Sequence, residues 1–593
     1  MPYQPSWSSS SLPLSPLSDV YRQGLRPGEI RLLVLEGPDS RKILRCRTEQ
    51  VNLSARSAYT TISYTWDGNE KPWYGNYDSS PKPILIDGVL TGITQAGIDE
   101  VESDKVANIL NLMWLQGRTT IWIDHICINQ EDAAEKNVQL QLMGDVYSKA
   151  LKVVTVLDAP NQDTDIALTL ANWDLQSPFW KKNKRSLFRA LAITFMKDYW
   201  RRTWILQELT LAQNPLLCCG NKTLDFTCLT DCHRIFIENI DLVMSLGNFW
   251  PSRVWTTIQQ DRESSRSGVK VRPFDPTILR KHVVKQPFLQ VLAASRQFSK
   301  CADPRDLLFA RLPLASDAVE LLPSPDVTQT VEELYTTFAA NSIRCTRQLD
   351  IILYGQSANK SLPSWVPDWT TNPTAASGCE LSPDKVVEIE TADRSHAEAA
   401  MAALEWSPEA WPEVSHSGSE LRVSGRVLKV LDHHADNLHL TMDGPQSWWE
   451  AATGNHKNEA PLGIVLLLSG MNLAHGDMLC VLKNCPAFVF LRPVQGHYIL
   501  VGKRRPHKVM TEWWAKDFVS LVDERHRRTD ETGMWADLIN NVDVQNVMEA
   551  YKRSTGFASF FENWMWSSYY SGAWVFQSPE AISKLEQKTF VIR

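Results

Sequence analysis

The chain has 593 residues, of which 43% are hydrophobic, 22% charged and 9% aromatic, a composition that excludes a disordered or fibrous protein. A net charge of −7 excludes a general cationic surface that would recruit nucleic acid or anionic lipid through the field of the whole protein. No run approaches the roughly 18–20 apolar residues of a bilayer-spanning helix, so neither a membrane span nor a nucleic-acid partner is expected.

The first 18 residues hold seven Ser and four Pro and no basic or continuous apolar region, so residues 1–27 read as a flexible tail rather than a secretory signal. Eleven cysteines, an odd number scattered among apolar neighbours, fit reduced buried thiols and a cytoplasmic location better than a disulfide framework.

Glu29–Glu36 (EIRLLVLE) and Ala58–Tyr64 (AYTTISY) are β-rich runs and predict early strands. Thr119–Asp124 (TTIWID) predicts another. Ala133–Ala150 follows with Val138, Leu142, Met143, Val146, Tyr147 and Ala150 at helical spacing, and Leu151–Leu157 (LKVVTVL) is a second strand directly after it. Strand, helix, strand in this order predicts a βαβ unit and a parallel sheet, because parallel neighbours need a crossover. Residues 28–215 are therefore expected to be an α/β domain, with Leu187–Gln213 a helix seated on the sheet through Tyr199, Trp200, Trp204, Leu206 and Leu209.

Residues 216–370 are helical in pattern, and 371–420, rich in Ser, Ala, Pro, Glu and Gly, reads as a linker or insertion. Short strands separated by turn signals predict a small antiparallel β subdomain over 421–510. The remainder, 511–593, is an aromatic-rich extension, with nine aromatic residues between Phe557 and Phe576. Such a segment either packs back on the β subdomain or presents a docking surface or lid.

The familiar catalytic strings are absent: no P-loop, no Rossmann glycine fingerprint, no H-E-x-x-H and no G-x-S-x-G. Cys218, Cys219, Cys228, Cys232 and His233 lie close in sequence but lack two separated ligand pairs, so no metal is assigned. The most informative segment is Trp122–Asp132. It sets Asp124 at the carboxyl end of a parallel strand, where open α/β sheets expose their binding crevices, and follows it with Asn129, Gln130 and Asp132. The alternative is that Asp132 caps the next helix while Asn129 and Gln130 satisfy loop backbone groups. Glu208, on an otherwise apolar stretch, is either paired with Arg201 or Arg202 or kept for chemistry.

Assembled in order, these segments resemble the fungal heterokaryon-incompatibility (HET) domain family. Tyr59–Trp66 (YTTISYTW) resembles the family's Y-x-A-L-S-Y-x-W-G, with Asp67 intruding before Gly68, and Trp122–Gln130 (WIDHICINQ) resembles W-I-D-A-I-C-I-N-Q, with His125 in place of Ala. Tyr199–Ala212 (YWRRTWILQELTLA), Asp303–Asp306 (DPRD) and Leu362–Trp369 (LPSWVPDW) continue the series. The resemblance implies a cytoplasmic fungal protein that triggers cell death after non-self recognition, acting with a protein partner or by self-association. It also implies a flavodoxin- or TIR-like α/β core. By that analogy Glu208 or Glu135 would be catalytic, contacting ribose hydroxyls of NAD as substrate, and Asp124, Asn129, Gln130, Trp66 and Ser63 would bind the small molecule. Two alternatives stay open: a tailoring or cyclisation enzyme of secondary metabolism, and a non-catalytic interaction module. No cofactor is assigned.

Overall fold

The computed structural model describes residues 15–55, 58–65, 83–91, 103–157, 194, 197–219, 222–226, 228, 285–295, 301–323, 326–354, 359, 361–370, 406–407, 411–431, 464–466, 473–485, 487–504, 506–509, 573–575 and 585–593. The chain divides into two units, Met1–Gln329 and Thr330–Arg593.

The first unit is α/β. Among the described residues its nine strands are β1 (Glu29–Pro38), β2 (Leu44–Asn52), β3 (Thr60–Ser63), β4 (Ile84–Ile86), β5 (Val89–Thr91), β6 (Thr120–Trp122), β7 (Lys152–Val156), β8 (Pro215–Cys219) and β9 (Lys222–Asp225), in the spatial order β5-β4-β2-β1-β6-β3-β7-β8-β9. β6, β3, β7 and β8 run parallel, while β1 joins β6 and β9 joins β8 in antiparallel fashion. All four residues of β3 are buried, as a strand covered on both faces requires.

The expected strand–helix–strand unit is present as β6, the helix Ala133–Lys149 and β7. The two strands are parallel but not neighbours, because β3 lies between them and pairs with both. The chain therefore leaves β3 toward β6 on one side and returns to β7 on the other, which makes the carboxyl end of β3 a topological switch point, where open sheets leave a crevice.

The helices described in this unit are α1 (Ser103–Leu115), α2 (Asp124–Cys127), α3 (Ala133–Lys149), α4 (Ile205–Thr210), α5 (Phe288–Ser295), α6 (Asp306–Phe309) and α7 (Ala318–Leu321). Asp132 caps α3, its carboxylate accepting the amides of Ala134 and Glu135 at 2.9 and 3.1 Å. The buried face of α3 carries Gln139, Met143, Gly144, Val146 and Tyr147, so Val138, expected on the apolar stripe, is 45% exposed instead. Gly144 lets α3 meet the turn at Pro313: a Cβ there would lie 2.5 Å from the Pro313 Cβ.

Three expectations change here. Within the long helix expected over 187–213, the residues described from Lys197 onward form a 3-10 turn, Asp198–Arg201, and the separate short helix α4. Arg202 between them is extended (φ −65°, ψ 135°), and that break turns its guanidinium toward the sheet. Second, the region expected to be helical from 216 begins as sheet: the apolar run around Leu216 forms β8, with Leu217, Cys218 and Cys219 fully buried, and the sheet continues to Asp225, while α5, α6 and α7 lie further along the same region. Third, the presumed tail contributes contacts: Ser15 bridges to Thr91 and the Tyr21 hydroxyl donates to the carbonyl of Ile126 at 3.1 Å.

The second unit opens with α8 (Val331–Thr346), started by a capping box between Thr330 and Glu333 and ended by Arg347 in the left-handed conformation (φ 59°). Its strands are β10 (Glu413–Val414), β11 (Leu421–Val430), β12 (Ile464–Leu466), β13 (Met478–Leu482), β14 (Phe488–Val494), β15 (His497–Arg504), β16 (Pro506–Val509), β17 (Ala573–Val575) and β18 (Gln587–Ile592). β11, β13, β14, β15 and β18 form a closed ring, since β18 pairs antiparallel with β11 and meets β15 in parallel at Tyr498 and Ile592. The expected antiparallel subdomain is thus a five-stranded barrel with one parallel contact. Its last wall comes from the segment read as an extension, because Phe590 and Ile592 alternate into the barrel core. Of the aromatic segment only Trp574, on β17, falls within a described strand; the residues from Phe557 to Tyr570, with Phe576, lie outside the described residues. Among the described residues no helix is long and apolar enough to cross a membrane.

Candidate functional site

The carboxyl ends of β3, β6 and β7 bring together residues that the sequence keeps far apart. Ser63 ends β3 and pairs in register with Thr155 of β7, and the hydroxyls of both meet the Tyr199 phenol, at 2.6 and 3.0 Å. The Ser63 hydroxyl also donates to the Glu208 carboxylate. Glu208 lies in the first turn of α4 and is 2% exposed. Its second neighbour is Arg202, whose guanidinium stands 4.0 Å from the carboxylate and donates to the carbonyl of Tyr64.

Burial dominates the electrostatics of this cluster. It raises the Glu208 carboxyl above the ordinary carboxylate range, and the charge of Asp124 adds to the rise, while Arg202 and the Ser63 hydrogen bond pull the other way. Burial likewise raises the Tyr199 phenol, with the Glu208 charge adding to it. Burial of Arg202 works against its charge, yet Glu208 and Asp124 hold its pKa above the usual value. A carboxyl poised in this way beside hydroxyls and a guanidinium can trade a proton, accept hydrogen bonds from hydroxyls, or stabilise developing positive charge when ionised.

Of the residues singled out in the sequence, Ser63 and Glu208 are in direct contact, and Asp124 joins them through its charge. Asp124 opens α2 and its carboxylate accepts the amide of His125 at 2.8 Å. The His125 ring is buried, and burial lowers its pKa to about 4, so it is neutral across the physiological range. Trp66 lies outside the described residues.

Glu135, Asn129 and Gln130 are occupied elsewhere. Glu135 receives two hydrogen bonds from Arg31, at 3.0 and 3.3 Å, and a third from the amide of Asn129 at 2.7 Å. Arg31 also donates to the carbonyl of Cys127 at 2.9 Å and stacks on the Tyr21 ring. The Gln130 side chain donates to the carbonyl of Asp124 at 3.0 Å, and that of Asn129 accepts the amide of Glu131. These three residues lock the loop after α2 by satisfying its backbone.

Tyr199 and Thr155 are cluster members that sequence reading missed as polar groups, Tyr199 having been read only as an apolar seat. The available signal was chemical: a Tyr or Thr on a buried strand or turn must find a hydrogen-bond partner. Among the described residues no group of three or more metal-binding side chains occurs.

Residues 59–208 match the protein family described as Heterokaryon incompatibility protein (HET). The chain is also similar to Heterokaryon incompatibility protein 6, OR allele, of Neurospora crassa, at 27% identity over 319 residues, which covers 42% of this chain and 44% of that protein. The chain thus spans less than half the length of that relative. No solved structure matches the chain.

Proposed function

We propose that this chain, a HET-domain family protein by its residues 59–208, acts in fungal vegetative incompatibility, where it would drive growth arrest and cell death after non-self recognition. The observation that carries this reading is where the family match begins and ends. Its first strand brings Ser63 and its last residue is Glu208, and these two side chains are hydrogen-bonded to each other in the protein interior. The matched segment therefore begins and ends beside one buried polar cluster, that of Ser63, Tyr199 and Glu208. Controlled expression in a filamentous fungus tests the reading: arrest of growth supports it, and unimpaired growth at full expression removes it.

A second reading, that the site cleaves the nicotinamide–ribose bond of NAD, is favoured by one observation, a buried carboxylate at the switch point that accepts a hydrogen bond from Ser63 and faces the Arg202 guanidinium, both of which favour its ionised form. The order β6-β3-β7-β8 also corresponds to the first four strands of the flavodoxin-type arrangement 2-1-3-4-5, which supports a flavodoxin- or TIR-like description of the core. In this reading Glu208 is the working carboxylate, since Glu135 is held by Arg31. Ionised, it would lie against the ribose and stabilise the oxocarbenium-like transition state while nicotinamide departs. Release of nicotinamide from NAD by the purified protein, lost in Glu208→Gln, is the expected result.

A further inference from the structure

The helix that carries Glu208 is only six residues long, and its N-cap, Trp204, makes no side-chain capping bond. A helix so short has little stability of its own, so its position depends on outside contacts. Beside the Ser63 bond to Glu208 and the contact of Gln207 with Met143 on α3, contacts come from a segment beyond the family match. The Trp204 indole N–H donates to the Asp306 carboxylate at 2.9 Å, and Cys301 is hydrogen-bonded to Thr203, one residue earlier.

The segment making these contacts is itself braced. Arg305 grips Asp303, with Nη2 to Oδ2 at 2.6 Å and Nε to Oδ1 at 2.9 Å, and donates to the carbonyls of Val327 and Gln329. The Asn137 side chain of α3 holds the same stretch through the amide of Val327 at 2.8 Å. Asp306 has no ion pair of its own among the described residues, so the indole is its specific partner. The charged and titratable groups around it are Asp303 and Arg305 on its own segment, Lys136 on α3 and the Cys301 thiol.

We propose that Asp306 is a positioning residue for Glu208, acting through the indole N–H of Trp204, so that the working unit of the site extends past the family-matched residues to the Cys301–Asp306 segment. That Glu208 is the functional group rests on the proposed function above; the mechanical coupling from Asp306 to α4 does not. A hydrogen bond from an indole to a carboxylate is charge-assisted and stronger than a neutral one. Asparagine at position 306 keeps an acceptor oxygen for the indole, and alanine removes it.

Hydrogen exchange of the full chain reads the coupling without reference to activity. Asp306→Ala should speed exchange of the amides in 203–210 by about tenfold or more, leaving α3 at its native rate. Asp306→Asn should restore near-native exchange. Trp204→Phe, which keeps the aromatic bulk, should reproduce the alanine variant, and the double variant should be no worse than either single one. Native exchange over 203–210 in Asp306→Ala, an Asn variant as perturbed as Ala, or additive effects of the two sites would each overturn the proposal. The growth-arrest assay on the same variants, beside Glu208→Gln, keeps the two claims separate. Full arrest by Glu208→Gln defeats the role given to Glu208 and leaves the exchange result standing.

Discussion

Glu208 and Arg202 form an ion pair at 4.0 Å in which the carboxylate is almost wholly removed from water. Removing one partner of such a pair leaves the other charge uncompensated in a low-dielectric interior. Arg202→Met is therefore expected to destabilise the first unit by about 3 kcal/mol and to push the Glu208 carboxyl further up, since the guanidinium is what holds it down. Glu208→Gln, which keeps an oxygen acceptor for the Ser63 hydroxyl, should cost less. Chemical denaturation of both variants checks the order, and a Gln variant less stable than the Met variant would contradict it.

Arg31 and Glu135 are a different case, a pair joined by two hydrogen bonds that pins the loop after α2 to β1. Either single truncation, Arg31→Met or Glu135→Gln, should cost about 3–5 kcal/mol, and the double variant should recover part of that loss. A double-mutant cycle measures the coupling. A Glu135→Gln protein of native stability would show that Glu135 is not the structural carboxylate described here.

Two buried groups make stability depend on pH in opposite directions. His125 has its pKa lowered to about 4, so the unfolded chain binds more protons between that value and 6.5, and stability falls as the pH drops through this window. Asp306 has its pKa raised from 3.8 to about 6 by burial, so the folded state binds more protons, and its contribution is lost as the pH rises through 6. At about 1.4 kcal/mol per unit each effect has a ceiling of roughly 3 kcal/mol. Denaturation midpoints across the range should show Asp306→Asn gaining on the parent protein as the pH rises from 4 to 7, and His125→Ala gaining on it as the pH falls from 7 to 4. Parallel profiles for parent and variants would contradict both assignments.

In the barrel, β11 pairs with β13 on one side and β18 on the other at Gly425, where a Cβ would lie 2.6 Å from the Val481 carbonyl oxygen and 2.6 Å from Leu482 Cδ2. One of those neighbours is backbone and cannot turn away. Gly425→Ala is expected to destabilise the second unit by about 2 kcal/mol. Limited proteolysis of 421–504 should report it, and unchanged resistance would contradict the close approach.

The apolar spacing of α3, the β-rich runs and the capping residue Asp132 were legible in the sequence because they follow from short-range periodicity and local hydrogen bonding. Insertion of β3 between β6 and β7 was not, since strand order depends on pairing between distant segments. The same limit hid the closure of the barrel, which waits for the six residues of β18 at the far end of the chain. Glu208 was legible as a carboxylate in an apolar stretch, with Arg202 one of its two candidate partners. Ser63, 145 residues away, was picked for its motif and not for the bond it makes. The partner of Glu135 was not legible: a carboxylate one turn into a helix reads the same whether it faces a ligand or an arginine, and Arg31 lies 104 residues earlier.

The most direct test of the proposed function and its Glu208-centred site is inducible expression of the chain and of Glu208→Gln in a filamentous fungus, at matched protein levels and with folding of the variant verified. The parent protein is predicted to arrest growth and the variant to permit it. Equal arrest by a folded Glu208→Gln protein would contradict the assignment of the site.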